Sequence, residues 1–406
     1  MRLKDISTLS PRYIGEPLTE KVSFVPMEGL RNGKVSCQEI PFNEGYKKYT
    51  YFKNEDLLVA KVTPCFENGN IAIAKGLLNG IGFGSSEFFV LRCNSKVINS
   101  YLFYQTQTSD FIGRACSTMC GVGGLKRITP IFMRTYELEV PSIESQKKIV
   151  SFLDSKLSKI DKIVSLLSQK RDAYLKLKKS IVNKAVTRGL NDDVKLKDSG
   201  IDWMGEIPET WSVIEIKHYC NRIFAGATPS TKRSDYWGGD IPWIPSGSCQ
   251  NRDILTYDDT ITQEGYDNSS TKLIPPRTTL MAMTGATCAN VGYLMFPSCA
   301  NQSVCAFVEN KSKCFSRYLF YLLQAARTYI LTFQTGGAQA GVNIQDCSLL
   351  KVPLNTYNEQ KAIANYLDEK CAKIDAIVAN VETQIEKYNQ LRKSLIDEVI
   401  TGKRKV

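Results

Sequence analysis

The feature that most constrains this chain is a long stretch that occurs twice. Residues 146–187 align with 360–401 at a constant offset of 214, without a gap, and 16 of the 42 positions are identical. The identities include Gln146/Gln360, Leu153/Leu367, Asp154/Asp368, Ile160/Ile374 and Tyr174/Tyr388. Self-similarity of this length means one structural unit used twice, so it takes precedence over local patterns. A Val-Pro pair precedes each copy, at 140–141 and 352–353, and stops any helix arriving from upstream.

Within each copy apolar residues return at every seventh position. In the first they are Leu153, Ile160, Leu167, Tyr174 and Ile181; in the second, Leu367, Ile374, Val381, Tyr388 and Leu395. The accompanying stripe is assigned to Ile149, Lys156, Ile163, Lys170 and Leu177, and to Ile363, Lys370, Ile377, Gln384 and Leu391. A 3.5-residue period held over five heptads predicts a coiled coil, with polar interruptions that pin its register. Each copy would make a rod of roughly 60 Å. Two matched rods in one chain can pair, and antiparallel pairing would put their attached domains at opposite ends. The alternative is two amphipathic helices, each packed on its own domain.

The segments between the rods repeat more weakly. Tyr-Leu-Phe-Tyr at 101–104 recurs at 318–321, each time opening an amphipathic helix. Upstream, the apolar stretch 56–63 corresponds to 278–284, and 85–91 to 302–308. Downstream lies a glycine-rich loop, 120–124 or 335–343. The expected fold is therefore mixed α/β (α+β): two globular domains and two long helices forming an antiparallel coiled coil, with a pseudo-two-fold internal repeat. The expected boundaries are 1–142 and 191–356 for the domains and 143–190 and 357–406 for the helices. The polar, turn-prone linker near 190–200 separates the halves.

Charge is unevenly placed. The chain carries 52 basic and 41 acidic residues, a net +11. Residues 143–190 alone hold 12 basic and 4 acidic, whereas 191–356 hold 14 and 16. An anionic partner such as nucleic acid follows as a hypothesis. The basic surface of the first rod (Lys147, Lys148, Lys170, Arg171, Lys176, Lys178, Lys179) could track phosphates or form a solvated or protein-binding face.

Catalytic chemistry has little to stand on. The 13 cysteines never form a Cys-x-x-Cys pair, and with no apolar leader at the amino terminus they read as reduced thiols of a cytoplasmic protein. The Cys116/Cys120 spacing lacks a second half for zinc, so no metal is expected. His218 is the single histidine, which rules out a two-histidine metal site. No phosphate loop, dinucleotide fingerprint or nucleophile elbow occurs. A self-sufficient enzyme is therefore not expected, and no transmembrane helix is either.

The run Val-Lys-Leu-Lys-Asp-Ser-Gly-Ile-Asp-Trp-Met-Gly-Glu-Ile-Pro-Glu-Thr-Trp (194–211) resembles the start of a target recognition domain in specificity (S) subunits of type I restriction–modification systems. So do Thr-Pro-Ser (228–230), Tyr-Trp-Gly-Gly-Asp-Ile-Pro-Trp-Ile (236–244) and the Gln-x-x-Ile-x-x-x-Leu-Asp motif that opens both rods. The resemblance covers essentially the whole chain. It implies two target recognition domains, each reading half of a bipartite double-stranded DNA site, and helices that set the spacer. It also implies no catalysis in this chain. Two modification (adenine methyltransferase) subunits would bring S-adenosylmethionine, and restriction (translocase/endonuclease) subunits would use ATP and Mg. The first copy departs from the pattern: Met1 falls near the equivalent of Ile214, so the Ser-Gly-Ile-Asp-Trp motif is missing there and the edge of that domain is expected to pack differently. A non-catalytic coiled-coil scaffold with two protein-binding domains is the second reading.

Polar side chains on projecting loops read base edges, whereas phosphate contacts only position a protein. In the first domain the candidates are Lys61, Thr63, Asn68 and Asn70, then Ser85, Ser86 and Glu87, then Lys126 and Arg127. In the second they are Ser230, Thr231, Lys232, Arg233 and Tyr236, followed by Ser246, Thr284, Asn290, Gln302, Gln339 and Asn343. Each could equally be an ordinary turn former. Trp237 and Trp243 read as core or interface residues, and the loop glycines as points of close backbone approach.

Overall fold

The structure, a computed structural model, describes all of residues 1–406 except 14, 16–20, 32, 42–47, 123 and 337–339. Two units emerge. The first comprises Met1–Gln169 with Glu382–Val406, and the second comprises Lys170–Val381. Each therefore contains a globular part and a portion of both long helices, which run over Ile143–Arg188 and Tyr357–Ile400. The first long helix stops at Gly189, whose φ of +76° is the left-handed conformation that ends a helix.

The first unit is built on a four-stranded antiparallel sheet in the order Ser7–Leu9, Phe88–Cys93, Leu57–Ala60, Ile71–Ile73. Leu57–Ala60 is apolar throughout and buried on both faces. A second sheet orders Gln38–Pro41, Lys21–Val25, Ile81–Gly84 and Thr50–Lys53, with the middle pair parallel. Helices Asn99–Gln105, Ser109–Ser117 and Pro130–Thr135 follow, and between the last two lies an exposed hairpin, Cys120–Val122 paired with Leu125–Arg127.

The second unit repeats the core. Its five-stranded sheet runs Arg222–Ala225, Val304–Val308, Thr278–Ala282, Val291–Leu294, Arg252–Ile254, and the first four pair antiparallel in the same order as their counterparts. A three-stranded sheet (Asp259–Ile261, Trp237–Ile244, Cys299–Ala300) takes the place of the second sheet. Strand Ser212–Glu215 pairs with Lys351–Leu354 over four residues. At the equivalent edge of the first unit only the bridge Arg2↔Glu137 remains, and the Met1 ammonium donates to Leu138 O at 2.8 Å. That edge is nonetheless packed, because Leu3 and Ile6 are fully buried.

The same clamp fixes the long helix to the turn that opens a short helix in each unit. Gln146 is fully buried; its Oε1 accepts from Ile98 N at 2.9 Å, and its Nε2 donates to Lys96 O and Pro141 O at 2.9 and 2.8 Å. Gln360 does likewise: Oε1 accepts from Phe315 N at 2.7 Å, and Nε2 donates to Lys313 O and Asn355 O at 2.7 and 3.1 Å. About two helical turns further on, the Tyr104 hydroxyl donates to Asp154 and the Tyr321 hydroxyl to Asp368. In the second unit Arg317 joins this cluster, binding Asp253 and, at 2.7 Å, Asp368.

Within each unit the helical portions pair antiparallel. In the first, Arg404 lies over the Phe152 ring and Arg392 reaches Asp161. In the second, Lys178 binds Asp375 at 2.7 Å, while Val182 and Val186 share a core with Ile363 and Leu367. The stripe Leu153, Ile160, Leu367, Ile374, Val381, Leu395 is buried, with Leu167, Tyr174, Ile181 and Tyr388 half-buried. The accompanying stripe differs from the one assigned from sequence. Lys156, Lys170, Gln384, Leu177 and Leu391 are exposed, the two leucines by 47% and 49%. Positions one residue later are covered instead: Leu157, Cys371 and Val378 are buried, and Val164 and Lys178 half-buried. A seven-residue repeat leaves the companion position at +3 or +4. Burial of Leu157 and Val378 settles it, since long lysines at 156 and 170 are cheaply left in water. Of the remaining assigned residues, Ile363 is buried and Ile149, Ile163, Lys370 and Ile377 are half-buried.

Candidate nucleic-acid interface

In the first unit the buried strand Leu57–Ala60 continues into Lys61–Thr63, and the exposed hairpin docks on that continuation. Val62 bridges Arg127; Thr63 N donates to Lys126 O at 2.9 Å. The Thr63 hydroxyl donates to Gly124 O and accepts from Lys126 N, both at 2.9 Å. Arg127 forks onto Glu87, with two bonds of 2.9 Å. That hydrogen bond holds the Glu87 carboxyl below its ordinary range. Lys61 N donates to Glu87 O, and its ammonium lies 5.2 Å from the Phe89 ring centroid. The fold thus brings Lys61, Thr63, Glu87, Lys126 and Arg127 together, with Ser85 and exposed Ser86 beside them in one turn.

Two expectations shift. Asn68 is exposed, but Asn70 is only 9% exposed, and its backbone ties the loop to Cys65 and Ala60. Arg127 is committed to Glu87, so it orders the hairpin. Sequence reasoning missed the hairpin's apolar residues, Val122 (89% exposed) and Leu125 (50% exposed). The signal was present: two apolar residues flanking a Gly-Gly pair in the sequence.

In the second unit Thr284 holds the place of Thr63. It bridges Gly341, which also pairs with Thr335, so a glycine-rich loop again docks on the end of a central strand. Several other candidates have internal duties. Asn343 caps helix Ile344–Leu349, accepting from Asp346 N at 2.9 Å. Asn290 Oδ1 accepts from Arg327 Nε at 3.3 Å. Arg233 is held by Asp235 and Glu264 and lies over the Tyr236 ring, and its hydrogen bond pulls the Asp235 carboxyl below the usual range. Each of the three thus has a partner within its own fold, while Asn343 and Arg233 stay exposed and Asn290 is half-buried. Gln302 is exposed and accepts from the Thr228 hydroxyl. Ser230, Thr231 and Lys232 are exposed, and Ser246 is half-buried. Gln339 lies outside the described residues. Trp237 and Trp243 stack edge to face, and their Nε1 atoms donate to Ser230 O and Ala227 O, fixing the 227–230 loop.

His218 is exposed beside Glu215. Eight cysteines are buried and all 13 are free thiols. Among the described residues no group of His, Cys, Asp and Glu could hold a metal, and no helix is long and apolar enough to cross a membrane.

The chain is similar along most of its length to proteins of one kind. It is 28% identical over 205 residues to the type I restriction enzyme EcoAI specificity subunit of Escherichia coli, a match spanning 50% of this chain and 34% of that one. To the putative type I restriction enzyme MjaX specificity subunit of Methanocaldococcus jannaschii it is 23% identical over 411 residues, covering 97% of this chain and 88% of the relative. Its fold matches a chain solved in a study of complex assembly and conformational transition of the type I R-M system, with a TM-score of 0.74, 15% identity and coverage of 98% and 96%. It also matches the HsdS subunit of Thermoanaerobacter tengcongensis, with a TM-score of 0.50, 16% identity and coverage of 99% and 96%. The model of the type I restriction modification DNA specificity domain matches twice, over residues 1–172 and 208–387. Two copies of that domain, on two copies of one sheet and one clamp, make this chain a member of the type I restriction modification DNA specificity family.

Proposed function

We propose that this chain gives a type I restriction–modification enzyme its DNA specificity, each unit reading one half of a bipartite duplex target. The observation that carries the reading is the repeated docking of a glycine-rich loop on the end of a central strand, at Thr63 and again at Thr284. Two such reading heads of unlike sequence suit two unlike half-sites, by the same logic that matches dimeric readers to spaced half-sites. The paired helices set the unread spacer and dock two modification subunits, which supply S-adenosylmethionine and methylate adenine. Restriction subunits add ATP- and Mg-dependent chemistry. The chain itself recognises and does not catalyse. Affinity comes largely from the assembled complex, because the second unit's globular segment carries no excess of positive charge.

The test is co-expression with the modification subunit followed by methylome sequencing. An asymmetric split motif carrying methyladenine is the expected result. An assembled complex that leaves no split motif methylated overturns the proposal in favour of a protein-binding scaffold.

A further inference from the structure

The hairpin of the first unit has a feature that general DNA reading does not account for. Val122 and Leu125 pair directly across the two strands, so their side chains share one face of the ribbon. Neither is covered: Val122 is 89% exposed and Leu125 50%. Such a pair on a mobile loop would mean little, but this ribbon is held at its base by Thr63 and by the Arg127–Glu87 fork. Its geometry also demands glycine, because a Cβ on Gly121 would lie 2.2 Å from Leu125 O.

We propose that this ribbon enters the major groove and that Val122, backed by Leu125, reads the C5-methyl group of a thymine. The inference rests on the function proposed above. Three observations favour DNA as the occupant. A two-stranded ribbon fits the width of the major groove, and apolar contact with the thymine methyl is one of the ways that groove is read. Lys126, exposed on the reverse face, and Lys61, at the base, put positive charge beside the apolar pair, as contact with a phosphate-lined groove requires. Two side chains are too little apolar surface to anchor a stable protein interface. The corresponding loop of the second unit contains only Thr, Gly, Ala and Gln between Thr335 and Gly341, so this mode of reading belongs to the first unit.

The test uses the complex of this chain with its modification subunit and duplexes carrying the methylated motif. Each thymine of both half-sites is replaced in turn by deoxyuridine, which removes the methyl and keeps the pairing. One position is expected to weaken binding roughly four-fold, the worth of one buried methyl-sized group. Val122→Ala should bind the unmodified duplex that much more weakly and lose the response to deoxyuridine; Leu125→Ala should show a smaller loss. Both side chains lie outside the core, so the variants should melt like the parent, and a common melting temperature checks this. If no thymine responds, or if Val122→Ala responds as the parent does, the proposal fails. Impaired assembly of the variant with the modification subunit, without change in DNA response, would assign the ribbon to protein docking and also overturn it. A methylated split motif without a thymine response sinks only the ribbon; the absence of any split motif sinks the proposed function itself.

Discussion

Consider truncating Gln360 to alanine. The side chain is fully buried and makes three hydrogen bonds, of 2.7, 2.7 and 3.1 Å, all to main-chain groups of Phe315, Lys313 and Asn355. Alanine leaves the Phe315 N–H and the Lys313 carbonyl, both part-buried, and the buried Asn355 carbonyl without those partners. An intramolecular hydrogen bond is worth about 1 kcal/mol net, and a buried group left unsatisfied costs about 1–3 kcal/mol. The three losses together should cost about 3–5 kcal/mol. In a unit of this size 1 kcal/mol moves the melting temperature by roughly 2–4 °C, so a fall on the order of 10 °C is expected. The local signature is sharper: the Phe315 amide, protected in the parent, should exchange quickly in the variant. Gln146→Ala should do the same to the amide of Ile98 in the first unit. A loss below about 1 kcal/mol with Phe315 still protected would refute the reasoning, because the clamp would then be incidental to how the long helix joins its globular part.

Other consequences can be checked alongside. Arg317→Met strips the cation from between Asp253 and Asp368, so the free energy of unfolding measured in urea is expected to fall by about 3–5 kcal/mol; a neutral outcome would mean the carboxylates find other partners. Because Glu87 titrates below the usual carboxylate range in the folded chain, its grip on Arg127 is present at neutral pH and lost as pH falls through that lowered value. Amide protection in Cys120–Arg127 should therefore fade in acid, and Glu87→Gln should remove that pH dependence. Leu157→Ala should cost about 2–5 kcal/mol whereas Leu177→Ala should cost little, and equal losses would restore the stripe assigned from sequence. Deleting one heptad from each long helix should change the spacer of the methylated motif and leave both half-sites intact.

Much of the architecture was legible because it is written twice. The offset of 214, the seven-residue stripe and the paired Tyr-Leu-Phe-Tyr helices place sheet, helix and rod in order before any coordinates are known. The choice between Lys156 and Leu157 for the companion stripe was not legible, since both satisfy a heptad and only the neighbouring helix decides. The site was harder still. Asn343 and Asn290 have side chains suited to base edges, yet the same chemistry caps a helix or binds an arginine, and only the fold shows which partner is nearer. Arg127 reads as a free cation until Glu87, 40 residues upstream, is brought beside it. Val122 escaped notice for the opposite reason. A search for hydrogen-bonding readers passes over an apolar residue, whose role depends on being uncovered.

The glutamine clamp has a consequence for how such a chain can change. Gln146 and Gln360 address only backbone groups: an N–H, which every residue but proline supplies, and C=O groups, which every residue supplies alike. Nothing in those bonds depends on the side chains at 96, 98, 141, 313, 315 or 355. A domain can therefore be rewritten across its surface, or exchanged for a distant cousin of the same fold, and still be seized by the same helix in the same pose. The clamp works as a standard coupling: it fixes attachment and is indifferent to what the attached part reads.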